Sequence, residues 1–480
     1  MKRNVISLLG AVGMLAGLAS CSGGTSSAQS SGNVINIWCW NNEFQSRFNK
    51  YYPEVEKVDG DTTTLKNGKT VKFTIHPNDN NGYQNALDAA LKKQDTAKAD
   101  DKIDIFLMEA DYALKYVNAD YTMDVKDLGI TDSDTAQMYD YTKTIATSSD
   151  GKLKGLSWQA TPGLYAFRTD YAKKIWGDAY PADPEPADSA EVKATKTQAQ
   201  ADFVQSKMSD WTKFNEVAAA AKAKDVKIVS GFDDTYRTYS NNATKPWVDS
   251  NDTVTIDPEI KKWIKNTKEY ATNGYCGTSK LWDDNWAKDQ GPTGSVLGFF
   301  YSTWGINFTL AGNSLADSKG EQKLGNGLFG KYRVCQGPAS YYWGGTWISA
   351  AKGTDNVDDI KDIMLKLTCD KAIAKKITQD TQDYTNNKAA MNEIANDKTF
   401  GSDFLGGQNH IKLFTNAAAN IKLAAMSPYD QTCNEQLQNA MRDYFTGTTA
   451  DYAAAYESFK AKVKEKHPDL KFNDTANSTL

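Results

Sequence analysis

The apolar positions of this chain change their period several times, and the changes predict alternating strands and helices. Runs of β-branched and aromatic residues with partial alternation predict strands at 33–40, 71–76 and 103–108. Between them, apolar residues three and four positions apart predict helices at 44–52 and 82–93. This alternation is typical of a parallel sheet covered by helices. The first quarter of the chain is therefore expected to form an α/β unit.

The remainder of the chain continues the pattern with more helix towards its end. Strands are predicted at 154–158, 163–168, 226–231, 294–301, 332–335 and 341–351. Helices are predicted at 170–176, 211–224, 256–270, 435–444 and 452–466. The tract Tyr180–Ala199 is rich in Pro, Ala, Asp and Lys and is interpreted as an exposed excursion.

The first residues have the pattern of an export signal. Lys2 and Arg3 precede an apolar run at 5–18, which is shorter than the roughly 20 residues that a membrane-spanning helix needs. The sequence LASC, ending at Cys21, resembles the bacterial lipobox, in which the cysteine is acylated and becomes the mature N-terminus. We therefore expect a lipoprotein signal peptide at 1–20, lipidation of Cys21 and a flexible tether over 21–32. The mature protein would then be extracytoplasmic and anchored to the membrane; the alternative is an ordinary secretory signal.

Composition excludes several classes of function. The chain carries 55 basic against 60 acidic residues and has no basic block, which argues against nucleic-acid binding. It has three histidines and no CxxC or Cys/His spacing, so neither a metal site nor another cofactor is expected. Most of the cysteines beyond Cys21 are interpreted as small buried residues, and disulfide formation among them stays open: Cys39, Cys276, Cys335, Cys369 and Cys433.

Four segments, spread over nearly the whole mature chain, carry a resemblance to a known family. They are INIWCWNNEF (Ile35–Phe44), DIFLMEAD (Asp104–Asp111), LKGLSWQATPGLYAFRTD (Leu153–Asp170) and YYWGGTWISAAKGTDNVDDI (Tyr341–Ile360), with a weaker match at FFYSTWG (Phe299–Gly305). In this order, and beside the lipobox, they resemble the family 1 extracellular solute-binding proteins of sugar-importing ABC transporters. The tract Tyr180–Ala199 has no counterpart in that pattern.

The resemblance implies an α/β fold of the type II periplasmic-binding-protein-like class. In that class two discontinuous α/β lobes are joined by a hinge, and the ligand cleft lies between them. By matching positions, the N-terminal lobe is expected to comprise 33–150 and 295–340, and the C-terminal lobe 151–294 and 341–480. Crossover segments between the lobes are expected near 151–158, 291–299 and 334–345.

Candidate ligand-binding residues follow two strands of the predicted parallel sheet. A sugar site requires aromatic platforms for the C–H faces and planar polar side chains for the hydroxyl groups. Trp40, Asn41, Asn42 and Glu43 follow the first strand, and Glu109 and Asp111 end the third, at the edge where open α/β sheets bind ligands. For the polar members, helix capping is the alternative role.

Other candidates lie on the crossover and glycine-rich segments that the resemblance indicates. Trp158 and Gln159 lie on the first crossover, where core packing is the alternative for Trp158. Trp304 follows an apolar strand among polar neighbours. Trp343 stands beside Gly344 and Gly345, whose missing side chains leave room for a ligand or another backbone. A polar loop from Asp233 to Arg237 is expected either to reach the ligand or to be solvated.

These observations favour a binding protein without catalysis. The expected ligand is a carbohydrate, in particular an oligosaccharide, and the expected partners are ABC permease subunits, with the protein itself a monomer. An exported glycoside hydrolase is the main alternative, because Glu43, Glu109 and Asp111 offer a carboxylate pair. A polyamine-binding protein and a surface adhesin are further alternatives.

Overall fold

The computed structural model describes residues 32–317, 319–423 and 426–480. The predicted signal peptide, Cys21 and nearly all of the tether lie outside the described residues. Within the described ranges, no helix is both long and apolar enough to cross a membrane.

The strands are short and distributed along the whole chain. They are β1 (Val34–Cys39), β2 (Val55–Asp59), β3 (Thr62–Leu65), β4 (Thr70–Ile75), β5 (Ile105–Glu109), β6 (Leu156–Ser157), β7 (Gly163–Arg168), β8 (Val229–Gly231), β9 (Thr253–Val254), β10 (Cys276–Ser279), β11 (Gly298–Ser302), β12 (Tyr332–Cys335), β13 (Thr346–Ala350) and β14 (Lys471–Phe472).

Helices fill most of the intervals. They are α1 (Glu43–Tyr51), α2 (Gly82–Leu91), α3 (Ala113–Val117), α4 (Asp140–Ile145), α5 (Thr169–Trp176), α6 (Ala190–Lys207), α7 (Trp211–Lys222), α8 (Tyr236–Ser240), α9 (Pro258–Asn273), α10 (Asp284–Asp289), α11 (Thr303–Gly305), α12 (Ala311–Asn313), α13 (Val357–Thr368), α14 (Lys371–Thr381), α15 (Lys388–Ala395), α16 (His410–Ala419), α17 (Asp430–Thr446), α18 (Tyr452–Lys466) and α19 (Asp474–Asn477). A π-helical turn, Ile306–Leu310, joins α11 to α12.

The first sheet has seven strands in the order β2-β3-β4-β1-β5-β13-β6. β1 pairs in parallel with β4 and β5, whereas β13 runs antiparallel to β5 and to β6. The apolar side chains of β5 are buried, as expected of a central strand with both faces covered. The predicted parallel α/β unit at the start of the chain is thus confirmed, and β13 adds a distant segment to it.

The second sheet has three strands in the order β11-β7-β12, all antiparallel. A two-stranded parallel sheet, β10-β8, lies beside it. The two sheets are joined by a parallel bridge between Lys227, just before β8, and Val296, just before β11. One large core cluster runs from β5 through this second layer, and a smaller one lies under β1, α1 and α13. The chain passes from the first sheet to the second at 158–162 and returns at 336–345.

The strand pairing does not follow the predicted division into lobes. The range 295–340 was assigned to the N-terminal lobe, but its strands β11 and β12 pair with β7 of the second sheet. The range 341–480 was assigned to the C-terminal lobe, but its strand β13 pairs with β5. The predicted crossover at 291–299 connects α10, which packs against β8, to β11, and so it does not lead to or from a strand of the first sheet. The alternation of apolar residues marks a strand but does not specify its partner.

The tract Tyr180–Ala199 is only partly an exposed excursion. From Ala190 it forms the first half of α6, which is capped by Ser189 and packs against β12. The buried positions of this helix include Thr197, Gln200 and Ala201 rather than a row of large apolar residues. The sequence therefore lacks the apolar stripe by which amphipathic helices are identified.

Candidate functional site

A cavity of about 410 Å³ lies where the carboxyl end of β5 meets the segments that follow β8, β10 and β12. Its lining is polar at most positions and includes two tryptophans. The lining residues are Asp111, Asp233, Tyr236, Arg237, Lys280, Leu281, Trp282, Trp343, Gln431, Asn434, Glu435, Gln438 and Asn439. The structure therefore brings side chains from both sheets to one concave surface.

The end of β5 supplies a pair of carboxylates with different partners. Glu109 Oε2 accepts a hydrogen bond of 2.9 Å from the backbone N–H of Asp111 and so caps the turn that follows the strand. Asp111 forms a bidentate ion pair with Arg237 of α8, with Oδ1–Nη1 and Oδ2–Nη2 distances of 3.1 and 2.7 Å. This pair ties the edge of the first sheet to the helix after β8.

The pKa values of these two carboxyl groups are pushed in opposite directions. Burial, together with the nearby Asp111, raises the pKa of Glu109. Burial would also raise the pKa of Asp111, but the Arg237 guanidinium outweighs it and holds this pKa below its usual range. Near them, burial raises the pKa of Asp430 to about 7. The site thus contains one firmly ionised carboxylate beside groups that bind a proton more readily.

Three tryptophans form an aromatic cluster at the same end. The rings of Trp282 and Trp304 are parallel, with centroids 5.9 Å apart and an interplanar angle of 12°. Trp343 meets both nearly edge-on, and the guanidinium of Arg237 lies 5.4 Å from its ring centroid. Trp304 Nε1 donates a hydrogen bond of 3.0 Å to the backbone carbonyl of Trp343. Trp282 is 55% exposed, whereas Trp343 is buried.

Gly344 and Gly345 explain how Trp304 approaches this segment so closely. Both have positive φ angles, +73° and +112°, which strain any residue with a Cβ. A Cβ on Gly344 would lie 3.2 Å from Trp304 Nε1 and 3.8 Å from Glu109 Oε1. The space that the glycines leave is therefore occupied by the indole of Trp304 and, at Gly345, by the ring of Trp347.

The four residues after β1 occupy different environments. Trp40 is half-buried and makes edge contacts with Tyr83 and Tyr112, the second of which directly follows Asp111. Asn41 and Asn42 are exposed at the start of α1, and Asn41 Oδ1 accepts a hydrogen bond from the N–H of Glu43. The alternative capping role thus accounts for the Asn41 side chain.

Glu43 and Gln159 meet in a second polar cluster, centred on Asp383. Gln159 Nε2 lies 3.3 Å from Glu43 Oε1 and 3.1 Å from Asp383 Oδ2. Arg47 contacts both carboxylates at 3.2 Å. Thr303 donates a 2.6 Å hydrogen bond to Asp383 Oδ1, which connects this cluster to the residue preceding Trp304. Burial raises the pKa of Glu43, although Arg47 opposes the shift.

Trp158 differs from the predicted stacking platform. It is 2% exposed and belongs to the core cluster beneath α1. The guanidinium of Arg47 lies 4.2 Å from its ring centroid and covers one face. Trp158 is therefore a core residue in this structure, as the alternative interpretation had it.

The loop from Asp233 to Arg237 is built into the site rather than solvated. Asp233 forms an ion pair with Arg442, and Tyr236 donates a hydrogen bond to Asn434 of α17. Asp234 accepts from the Gly231 N–H and from Trp286 Nε1, and burial raises its pKa to about 7. These contacts fix the wall that presents Arg237 to Asp111.

Sequence reasoning missed Trp282, Arg47 and Asp383 of these clusters. Trp282 precedes Asp283, which caps α10, and an aromatic residue in a turn beside a cap was the available signal. It has a positive φ of +74°, which is unusual for a bulky side chain. Asp383 follows α14 in a segment without periodicity, and no signal in one sequence marks it.

The site offers groups for hydrogen bonding and stacking. Among the described residues no cluster of three or more His, Cys, Asp or Glu side chains is arranged to hold a metal ion. Cys39, Cys276, Cys335, Cys369 and Cys433 are free thiols in the structure. Carboxylates and a guanidinium beside aromatic faces suit a polar ligand that also has apolar faces.

Comparison with known proteins gives matches at the level of structure only. No family model and no curated protein matches the sequence. A solved structure described as extracellular solute-binding protein family 1 matches with a TM-score of 0.67 and 17% identity, over 90% of this chain and 99% of that one.

Two further matches are transporter binding proteins with sugars bound. The ABC transporter associated binding protein from B. animalis subsp. lactis, in complex with beta-1,6-galactobiose, has a TM-score of 0.62 and 16% identity, over 92% and 99% of the two chains. The galacto-N-biose-/lacto-N-biose I-binding protein from Bifidobacterium longum has a TM-score of 0.60 and 13% identity, over 92% and 100%. At such identities the likeness establishes the fold. The chain has the type II periplasmic-binding-protein-like fold of the family 1 extracellular solute-binding proteins.

Proposed function

We propose that this protein is the extracytoplasmic binding component of an ABC importer and that its ligand is a carbohydrate, in particular an oligosaccharide. The observation that carries the proposal is the group of Trp282, Trp304 and Trp343 beside Asp111 and Arg237, at a cavity of about 410 Å³. Indole rings match the C–H faces of a sugar, and ionised groups make stronger hydrogen bonds to hydroxyls than neutral ones. The structural neighbours that carry sugars support this choice of ligand class.

The sharpest test uses Trp282, because its exposed ring has little part in the core. A ligand should first be found by thermal shift with an oligosaccharide panel, and its affinity then measured by calorimetry. Replacing Trp282 with Ala removes roughly 80–120 Å² of ring–sugar contact, or about 2–3 kcal/mol at about 25 cal/mol per Å². The affinity should fall about 30- to 150-fold. Trp176→Ala is the control, because this half-buried tryptophan of α5 lies outside the cavity lining, and it should leave the affinity unchanged. An equal loss in both variants would refute the platform role.

Binding without turnover separates this proposal from a hydrolase. The hydrolase has one observation in its favour, since Glu109 with a raised pKa stands beside Asp111 with a lowered one, as in acid and nucleophile pairs. Incubation with the same panel should leave every oligosaccharide intact while the thermal shift is retained. Released sugars that disappear in Glu109→Gln would establish the hydrolase instead. A shift given only by polyamines would replace the carbohydrate ligand.

Closure about a hinge is a further part of the proposal. The chain crosses between the two sheets at 158–162 and 336–345, and the lobes would be the elements gathered around each sheet. Small-angle scattering should give a smaller radius of gyration with saturating sugar than without it. The same radius at confirmed saturation would indicate a preformed rigid site.

The N-terminus would hold the protein at the membrane. This part rests on LASC after a short apolar run, which matches a lipoprotein signal. Two or more acyl chains on Cys21 are sufficient for stable anchoring, at about 0.8 kcal/mol per buried CH₂. Metabolic labelling with a palmitate analogue should mark the wild type and not Cys21→Ser. Equal labelling of both would exclude acylation at this residue.

A further inference from the structure

A second cavity, of about 530 Å³, shares no lining residue with the candidate site. It lies beside β12 of the second sheet, and the tract before α6 forms part of its wall. The lining residues are Thr169, Asp170, Lys173, Asp183, Pro184, Glu185, Pro186, Lys193, Leu324, Gly325, Phe329, Gly330, Lys331, Arg333, Asp403, Gly406 and Gly407.

Arg333 is the buried charge of this cavity. It is 2% exposed, and its Nε donates a hydrogen bond of 2.8 Å to Gln200 Oε1. Its Nη1 donates to the backbone carbonyls of Gly330 and Tyr332, at 2.9 and 2.7 Å. Within the described ranges, Nη2 has no hydrogen-bond partner and no carboxylate pairs with the guanidinium. The neutral acceptors replace part of the hydration of the guanidinium, but its charge has no paired anion, and burial lowers the pKa of Arg333.

The surrounding charges differ from Arg333 in their exposure. Lys173, Lys193 and Lys331 line the cavity, and none of them pairs with a carboxylate of the described chain. The four carboxylates of the lining are exposed to solvent and are therefore screened by water: Asp170, Asp183, Glu185 and Asp403. Two of them are also engaged, Asp170 by Arg168 and Asp183 by the amide of Gln200. The inner end of the cavity is therefore electropositive although the formal charges of the lining balance.

Part of the outer wall is apolar. Pro184, Pro186 and Phe329 contribute to it, and the side chain of Leu324 is 58% exposed. Gly406 lies against the guanidinium, because a Cβ there would be 2.6–2.7 Å from its atoms. The cavity thus combines a fixed cationic end with an apolar rim.

We propose that this second cavity is an anion site, which binds a small ligand with a carboxylate or phosphate head and an apolar body, the head at Nη2 of Arg333. The planar guanidinium presents its donors in the geometry that such oxyanions accept. The lysines add a diffuse positive field at the entrance, and the rim contacts the body of the ligand. The anion site is independent of the carbohydrate site proposed above.

The test is calorimetric titration of the mature chain with inorganic phosphate, phenyl phosphate and benzoate, against chloride at equal ionic strength. Phenyl phosphate should bind with 1:1 stoichiometry and more tightly than inorganic phosphate, because of the apolar rim. The affinity for benzoate, compared with that for phenyl phosphate, shows whether the site prefers a carboxylate or a phosphate head. Arg333→Gln should weaken binding about 10- to 100-fold, the effect of losing hydrogen bonds to an ionised group.

A pair of lysines on α5 supplies a matched control. Lys173 lines the cavity and its neighbour Lys174 does not, although both are exposed on the same helix. Lys173→Gln should weaken phenyl phosphate binding a few-fold, and Lys174→Gln should not. If Arg333→Gln does not fold, the Lys173→Gln, Lys193→Gln double variant against Lys174→Gln, Lys207→Gln decides the question. The absence of saturable binding, or equal binding in the paired variants, would overturn the proposal. Trp282→Ala should keep phenyl phosphate binding, so the failure of either site is recognised separately.

Discussion

Two clusters of side chains each combine an aspartate, an arginine and a tryptophan, but the clusters differ in how far these side chains are exposed. At the cavity, Asp111 pairs with Arg237, whose guanidinium lies over Trp343. Near the chain crossings, Asp383 pairs with Arg47, whose guanidinium lies over Trp158. We refer to these as the cleft unit and the hinge unit. The cleft pair is about one quarter exposed on each side chain, whereas Asp383 is 3% exposed.

The difference in burial determines whether the polar atoms of each unit are fully hydrogen-bonded within the protein. Asp383 accepts hydrogen bonds from Arg47, Gln159, Thr303 and the Tyr384 N–H, so its oxygens are fully used within the protein. Asp111 has Arg237 as its partner and borders open space. The hinge unit therefore stabilises the place where the chain crosses between sheets. In the proposed function, the cleft unit keeps polar atoms and ring surface available to a ligand.

The largest expected effect comes from removing the tryptophan of each unit. Trp158→Ala and Trp343→Ala should each lower the free energy of unfolding by about 3–5 kcal/mol, because both rings are buried. Affinity for the sugar should fall in Trp343→Ala and stay close to the wild-type value in Trp158→Ala. Urea unfolding and calorimetry on both variants measure the two quantities. An affinity loss confined to Trp158→Ala would reverse the assignment of the units.

Removing the aspartate of each unit should lower the free energy of unfolding by different amounts. Asp383→Ala leaves Arg47 with Glu43 as its one remaining carboxylate and removes the acceptor of Gln159 and Thr303. Breaking a buried pair of this kind lowers the free energy of unfolding by about 3–5 kcal/mol, and we expect a value near the lower end. Asp111→Ala breaks a partly exposed pair, which should lower it by about 1 kcal/mol. Denaturant unfolding of both variants gives the comparison. Similar losses would mean that the cleft pair is as structural as the hinge pair.

The sequence predicted much of the cleft unit and little of the hinge unit. Glu109 and Asp111 were found because they follow a strongly apolar strand, and Trp343 because two glycines follow it. Asp383 was not found, since it meets Gln159 and Thr303 only through contacts between distant segments. Trp158 is predicted to contact the ligand because it lies on a crossover. That position does not indicate whether its ring faces the cavity or the core.

The fold was predicted at the level of class and elements, and strand partners were not. The helix at 452–466 and the strand at 332–335 have the predicted bounds because their local patterns are complete. The partners of β11, β12 and β13 depend on long-range pairing, which local periodicity does not encode.

Part of the pH dependence of stability should arise on the cleft side. The pKa of buried Asp234 is about 7 in the folded protein against 3.8 ordinarily, so the folded state binds more protons between these values. The free energy of unfolding should therefore fall as pH rises through this window, by at most about 1.4 kcal/mol per pH unit. Unfolding at about pH 5 and about pH 6 should show the fall in the wild type, and Asp234→Asn should reduce it. An unchanged slope in Asp234→Asn would place the titrating group elsewhere.

The smallest expected effect concerns the backbone that seats Trp304 in the cleft unit. Gly344 and Gly60 both have positive φ angles, +73° and +58°, so an alanine at either position meets a similar backbone strain of about 1 kcal/mol. A Cβ at 60 meets nothing within 4 Å, whereas a Cβ at 344 lies 3.2 Å from Trp304 Nε1. Gly60→Ala should therefore lose about 1 kcal/mol of stability and keep its sugar affinity. Gly344→Ala should lose a similar amount and also displace the indole, since it disturbs the hydrogen bond from Trp304 to the Trp343 carbonyl. Its affinity should fall a few-fold, because a shift of one platform leaves the other rings and the Asp111–Arg237 pair in place. If the two alanine variants bind equally well, Trp304 supports the wall of the cavity and does not contact the sugar.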